Sequence, residues 1–241
     1  MKTTEKQIQL FIIPFAGEST GAFKRLIGEL DATIEAIPVE YAGHGSRIRE
    51  AAIERYPDFL QDVAAQIARQ RNTALPCAVL GYSMGSNIAF DLITQGSIDG
   101  GVTHFFPCAR AAVDDPGPSL EFYQLPDDVF TEKIMQLGGI DERLQKNQRF
   151  LDIYLRVIRA DYRILGQFRY EGQLLPCDIS VMYSREDTPG ELVSGWAHLT
   201  AGAASFYEMG GPHFFILQHY REMAEIINRT LVGGERMERP E

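Results

Sequence analysis

An α/β fold with a mostly parallel sheet flanked by helices, interrupted by a helical insertion, is what this 241-residue sequence predicts. Three observations carry that expectation. Short apolar runs alternate with amphipathic stretches up to residue 110, and the alternation resumes after 174. Between them, 111–173 has helical periodicity and no strand pattern. Strands separated by helices need crossover connections, which produce parallel units with helices on both faces. The expected division is therefore a core of 1–110 and 174–241 with a lid of 111–173.

The elements follow in order. Ile8 to Pro14 is an apolar strand that runs into a small-residue turn, Ala16-Gly17-Glu18. Ala22 to Leu30 has helical spacing through Phe23, Leu26, Ile27 and Leu30. Ile34 to Val39 is a second strand ending at Gly43-His44-Gly45, and Pro57 to Arg69 is the next helix. Cys77 to Leu80 is a strand, Ser86 to Thr94 a helix and Val102 to Phe106 a strand. After a Pro/Asp-rich linker, helical patterns cover 127–137, 141–146 and 148–165. The last of these has a broad apolar face of Leu151, Tyr154, Leu155, Ile158 and Tyr162. So long a segment without strands exceeds an ordinary loop and is expected to form a lid. Asp178 to Tyr183 and Ala203 to Glu208 are strands, a helix begins at Trp196, and Phe215 to Thr230 closes the fold.

Composition narrows the function. Apolar residues make up 45% and charged residues 23%, the balance of a globular protein. The formal net charge of −10 opposes nucleic-acid binding and an anionic membrane surface as partner. No apolar run is long enough to span a bilayer, and the first apolar stretch meets a glycine turn rather than a cleavage site. Cys77, Cys108 and Cys177 lack metal or disulfide spacing, so reduced thiols and a cytoplasmic location are expected. No metal or nucleotide motif occurs.

The informative segment is Gly81-Tyr82-Ser83-Met84-Gly85, a G-x-S-x-G between an apolar strand and a helix. That context is what a nucleophile elbow requires, with Ser83 raised on a sharp turn at the start of a helix. A serine hydroxyl needs a base. Among five histidines, His213 stands in a glycine-rich loop between the last strand and last helix, where the base of such a fold belongs. His219 falls inside the helix, His198 is a weaker candidate, and His104 sits in an apolar strand. His44 either lines the site or serves its turn. For the acid, Asp187 follows the 178–183 strand; Glu186 beside it and Asp114 or Asp115 are the alternatives. Oxyanion donors are expected from the Met84 N–H and from the turn at Phe15 or Ala16.

These residues resemble the type II thioesterases, stand-alone α/β-hydrolases that accompany nonribosomal peptide and polyketide synthases. The likeness spans about Leu10 to Leu231. It rests on Ile13-Pro14-Phe15-Ala16-Gly17, the Gly81-to-Gly85 elbow, Gln136-Leu137-Gly138-Gly139, Arg159-Ala160-Asp161-Tyr162 and Gly211-Pro212-His213-Phe214-Phe215. The resemblance implies Ser83 as nucleophile, Asp187 as acid, His213 as base, and donors at Met84 and Phe15/Ala16. It also implies hydrolysis of acyl groups from the phosphopantetheine thiol of acyl or peptidyl carrier proteins, with no cofactor of the enzyme's own. Met135, Leu137, Leu151, Tyr154 and Leu155 are the lid candidates for an acyl or pantetheine channel. The sequence departs from the family pattern at Glu18, Ser86, Phe106-Pro107-Cys108 and Pro212. A monomer is expected, and the rival activity is hydrolysis of free small esters.

Overall fold

The computed structural model describes residues 5–115, 122–136 and 148–233. Six strands, β1 (Ile8–Ile13), β2 (Ile34–Pro38), β3 (Cys77–Tyr82), β4 (His104–Cys108), β5 (Asp178–Tyr183) and β6 (Ala204–Glu208), form one sheet. Their order is β2-β1-β3-β4-β5-β6, and every neighbouring pair is parallel. The chain builds outward from β1 to β2, then returns to lay β3 on the other side of β1. Such a reversal opens a crevice beyond the carboxyl ends of β1 and β3, the place where open parallel sheets bind ligands.

Period-2 alternation divides the side chains of the central strands between two cores. Phe11, Ile13, Val79, Phe105, Ile179 and Val181 face α2 (Tyr56–Gln70) and α3 (Met84–Thr94). Leu10, Ile12, Ala78, Leu80, Phe106 and Met182 face α1 (Lys24–Gly28) and α7 (Ile216–Leu231). Both faces are thus covered, as the near-continuous apolar strands required. Helix α3 is buried from Met84 to Ile93, which fixes the start of that helix firmly against the sheet.

Two helices of the insertion are described, α4 (Asp127–Gln136) and α5 (Gln148–Gln167). Phe130, Ile134, Leu151 and Ile158 make a small core of their own between them. The carboxyl end of α5 belongs elsewhere: Ile164 and Leu165, with Phe168 just beyond, pack into the main core. Helix α5 therefore spans both layers, so the insertion is not a separately packed body. Arg159 fastens α5 to the segment before α4 and to α4 itself, within the insertion. Its guanidinium donates to the carbonyls of Tyr123 and Leu125 at 2.6 and 2.8 Å and lies 4.0 Å from the Phe130 ring centre.

Several boundaries differ from the sequence reading. The stretch 22–30 is split into a 3-10 turn, Thr20–Phe23, and the short α1, because the Ser19 hydroxyl caps an early tight turn. The helix expected from Trp196 starts earlier, as α6 (Gly190–Ser194) followed by a 3-10 turn over Gly195–His198. Pro189 stands at its N-cap, with φ −52° and ψ 138°. The expected helix at 141–146 and residue Leu137 lie outside the described residues.

Candidate active site

Ser83 occupies φ 51°, ψ −114°, a backbone conformation that non-glycine residues adopt at a cost of about 1–3 kcal/mol. The surroundings enforce it. Its N–H donates to the Cys108 carbonyl at 2.8 Å, and its carbonyl accepts from the Ser86 N–H at 2.9 Å. A Cβ on Gly81 would strike the backbone of Gly85, and one on Gly85 would strike the carbonyls of Ile13 and Pro14. Ser86 reinforces the corner: its buried hydroxyl donates to the Gly81 carbonyl at 2.8 Å and accepts from the Cys108 N–H at 3.2 Å. That departure from the family pattern adds a stitch between the ends of β3 and β4.

The His213 loop brings its imidazole over this corner. Nε2 lies 3.0 Å from Ser83 Oγ, and Nδ1 lies 2.9 Å from Asp187 Oδ1. With the proton on Nδ1 donated to the carboxylate, Nε2 is left to accept from the serine hydroxyl. Both partners are mostly sheltered, the His213 and Asp187 side chains being 19% and 14% exposed. The second Asp187 oxygen accepts from the Thr188 hydroxyl at 3.1 Å. Glu186 is engaged differently: its carboxylate accepts from the Gly211 N–H at 3.0 Å and so holds the histidine loop rather than the imidazole. Asp114 faces His198 at 2.7 Å.

The remaining histidines have other partners. His104 Nε2 meets the Ser180 hydroxyl at 2.9 Å, and burial lowers its pKa to about 4. His219 pairs with Glu222 at 3.1 Å on the surface of α7.

Beside Ser83 runs the turn that follows β1. The Glu18 N–H reaches back to the Phe15 carbonyl at 3.3 Å, and Gly17 takes φ +81°. Among the described residues, the N–H groups of Phe15, Ala16 and Met84 donate to no protein acceptor. Donors left free at the residue after Ser83 and in the turn that shares its cavity are suited to an oxygen that acquires negative charge. Glu18, the unusual residue of this turn, folds its carboxylate onto the Ser19 N–H and hydroxyl at 2.9 and 3.2 Å. Burial raises its pKa against the opposing effect of those bonds.

A cavity of about 20 Å³ lies over the hydroxyl, room for roughly one water molecule. Phe15, Ala16, His213 and Phe214 line its core side, and Ile134, Tyr154, Ile158 and Tyr162 its lid side. Of the lid residues expected from sequence, Tyr154 therefore faces the serine. Leu151 and Leu155 instead line a separate groove of about 560 Å³ between α4 and α5. Met135 packs against the lid core. Sequence reasoning did not single out Ile134, Ile158, Tyr162 or Phe214 as lining. The spacing Tyr154, Ile158, Tyr162 marks one stripe of α5, and the broad apolar face around it concealed which stripe turns inward. Tyr82 was also passed over. Its hydroxyl donates to the His213 carbonyl at 2.7 Å and fixes the base loop to the nucleophile strand.

Among the described residues no cluster of three or more metal-ligating side chains occurs, and no helix is long and apolar enough to cross a membrane. Comparison with known proteins agrees with the architecture. The chain is 28% identical over 231 residues to the gramicidin S biosynthesis protein GrsT of Aneurinibacillus migulanus, covering 93% of this chain and 89% of that protein. ClbQ from the colibactin NRPS/PKS pathway shares the fold with a TM-score of 0.85 at 24% identity, over 95% of this chain and 98% of that one. The RedJ thioesterase of prodiginine biosynthesis in Streptomyces coelicolor superposes with a TM-score of 0.83 at 25% identity, over 94% and 86%. Residues 8–231 match the family described as Thioesterase domain, so the chain belongs to the thioesterase family of α/β-hydrolases, enzymes that hydrolyse thioester bonds.

Proposed function

We propose that the chain is a stand-alone type II thioesterase that removes acyl groups from the phosphopantetheine thiol of acyl or peptidyl carrier proteins in nonribosomal peptide or polyketide synthesis. It would clear stalled or misprimed chains, or release intermediates, as a cytoplasmic monomer without a cofactor. The observation that carries this reading is the continuous contact from Asp187 through His213 to Ser83, beneath a lid, in a chain of this family. The synthesis pathways of its relatives supply the substrate class.

Ser83 Oγ attacks the thioester carbonyl while its proton passes to His213 Nε2, and Asp187 holds the other ring nitrogen and stabilises the imidazolium. The carbonyl oxygen takes up negative charge against the Met84 and Phe15/Ala16 amides. His213 then gives its proton to the departing pantetheine sulfur, leaving an acyl-serine. A water that loses its proton to His213 attacks the ester, and collapse of that intermediate returns the proton to Ser83 and frees the carboxylic acid. An acyl-pantetheine arm is far larger than the present cavity, so α4 and the amino-terminal part of α5 must shift to admit it.

The test is hydrolysis of one acyl series presented on a phosphopantetheinylated carrier protein and as free thioesters and esters, with Ser83→Ala alongside. Ser83-dependent release that favours the carrier-bound series is the expected result. Intact carrier-bound chains beside rapid cleavage of free esters would assign the enzyme to small-ester hydrolysis.

A further inference from the structure

The segment Arg159–Tyr162 of α5 holds a carboxylate that the mechanism leaves unused. Asp161 is 1% exposed and lines neither cavity between the helices nor that over Ser83. Its Oδ2 accepts two hydrogen bonds, from the Gly17 N–H at 2.6 Å and from His44 Nε2–H at 2.8 Å. The other His44 nitrogen faces the Ala42 carbonyl at 3.1 Å. Both ring nitrogens thus face oxygen acceptors, an arrangement that favours the doubly protonated, cationic ring. Burial opposes that charge, but the Asp161 carboxylate, with the Ala42 carbonyl and Glu40, outweighs it and raises the His44 pKa.

Gly17 closes the turn whose Phe15 and Ala16 line the same cavity as Ser83 and are proposed to supply oxyanion donors. The other end of that turn is held by the Tyr41 hydroxyl, which donates to the Pro14 carbonyl at 2.8 Å. Helix α5 sits directly on Gly17: a Cβ there would come within 2.9 Å of Ile158 Cδ1 and of the Tyr154 hydroxyl. One helix therefore carries both the cavity wall and the anchor of the turn.

We infer that Asp161, clamped by His44, is a positioning residue that holds the Phe15–Gly17 turn in register for the oxyanion when α5 is seated. The inference rests on the proposed roles of Ser83 and the turn amides. Its consequence is a coupling in which displacement of α5 at this level releases the Gly17 bond and loosens the donors, so that closure over the acyl chain completes the oxyanion site.

Three variants and one probe test it. Asp161→Leu keeps the branched shape and removes the acceptor, Asp161→Asn restores a carbonyl acceptor, and His44→Leu removes the clamp while leaving the Gly17 bond. The probe is an alkyl trifluoromethyl ketone, whose carbonyl takes the Ser83 oxygen to form a hemiketal; fluorine NMR against pH reads the pKa of its oxyanion. Losing one oxyanion donor outright costs about 10²–10³ in kcat, so a displaced one should cost roughly tenfold to a hundredfold in Asp161→Leu, with KM within about twofold. The hemiketal pKa should rise in step, and Asp161→Asn should recover most of both. His44→Leu should give a smaller loss of the same kind, which decides the matter if Asp161→Leu does not fold. Variants that lose thermal stability while keeping kcat and the hemiketal pKa would overturn the inference and leave the proposed function standing. No hemiketal on the wild type, together with full turnover by Ser83→Ala, would instead remove the ground of both.

Discussion

The hydroxyl of Tyr82 donates a 2.7 Å hydrogen bond to the main-chain carbonyl of His213, so the residue before the serine fastens the loop that carries its base. Tyr82 is fully buried, and its ring packs on Phe15 and Phe215 with centroids 5.4 and 5.3 Å away. Tyr82→Phe preserves that packing and deletes the bond. We expect kcat to fall by about tenfold with little change in KM, and stability to fall by about 1 kcal/mol. Steady-state kinetics with a thermal melt check it; an unchanged kcat would detach the loop's position from this contact.

The two adjacent carboxylates after β5 should separate cleanly. Asp187→Asn mispairs the Nδ1–H and is expected to lower kcat by about 10⁴-fold, the magnitude seen for the equivalent change in other serine hydrolases. Glu186→Gln still offers an oxygen to the Gly211 N–H and should cost less than about fivefold. Equal damage from both substitutions would mean that the histidine loop, not the imidazole, is what the carboxylates serve.

The two stripes of α5 make different predictions for chain-length preference. Ile158→Ala enlarges the cavity over Ser83 and should shift turnover toward bulkier acyl groups. Leu155→Ala opens the outer groove and should leave the ranking of acyl groups as in the wild type. Competition assays with a mixed acyl-thioester series read both outcomes directly. A shift with Leu155→Ala alone would move the acyl path to the groove between α4 and α5.

Asp91, behind the nucleophile on α3, gives a pH signature of its own. Burial raises its pKa to about 6, against the hydrogen bond it accepts from Tyr56 at 2.7 Å. The folded state therefore binds the proton more tightly than the unfolded chain, whose Asp titrates near 4. Stability from this group is full below about pH 4 and is lost as pH rises through about 6. Asp91→Asn mimics the neutral form and keeps an acceptor for Tyr56. It should raise Tm at pH 7–8 relative to wild type and have little effect at pH 4. A gain that persists undiminished at pH 4 would contradict the assignment.

The strands and the elbow were legible because they depend on local patterns. Apolar runs of strand length, a glycine on each side of Ser83 and the proline-histidine loop are constraints of a few residues each. The choice between Asp187 and Glu186 was not local. The sequence reading prefers Asp187 and leaves Glu186 as its rival; the folded positions of Gly211 and His213 show the two carboxylates taking different partners. Asp161 and His44 were harder still, since they are 117 residues apart and meet only when α5 docks beside the β1 turn. Helix periodicity marks Leu151, Tyr154, Leu155, Ile158 and Tyr162 as apolar, yet it carries no information on which edge faces the core and which the groove.

The contact between Ser83 and His213 spans 130 residues of chain. During synthesis at about 5–20 residues per second, the serine leaves the ribosome roughly 6 to 26 seconds before the imidazole that would activate it. Through that interval its hydroxyl has the reactivity of an ordinary alcohol, and a passing thioester is safe from it. Hydrolytic activity therefore begins only when the His213 loop has settled over Ser83, so turnover itself reports the arrival of that late segment.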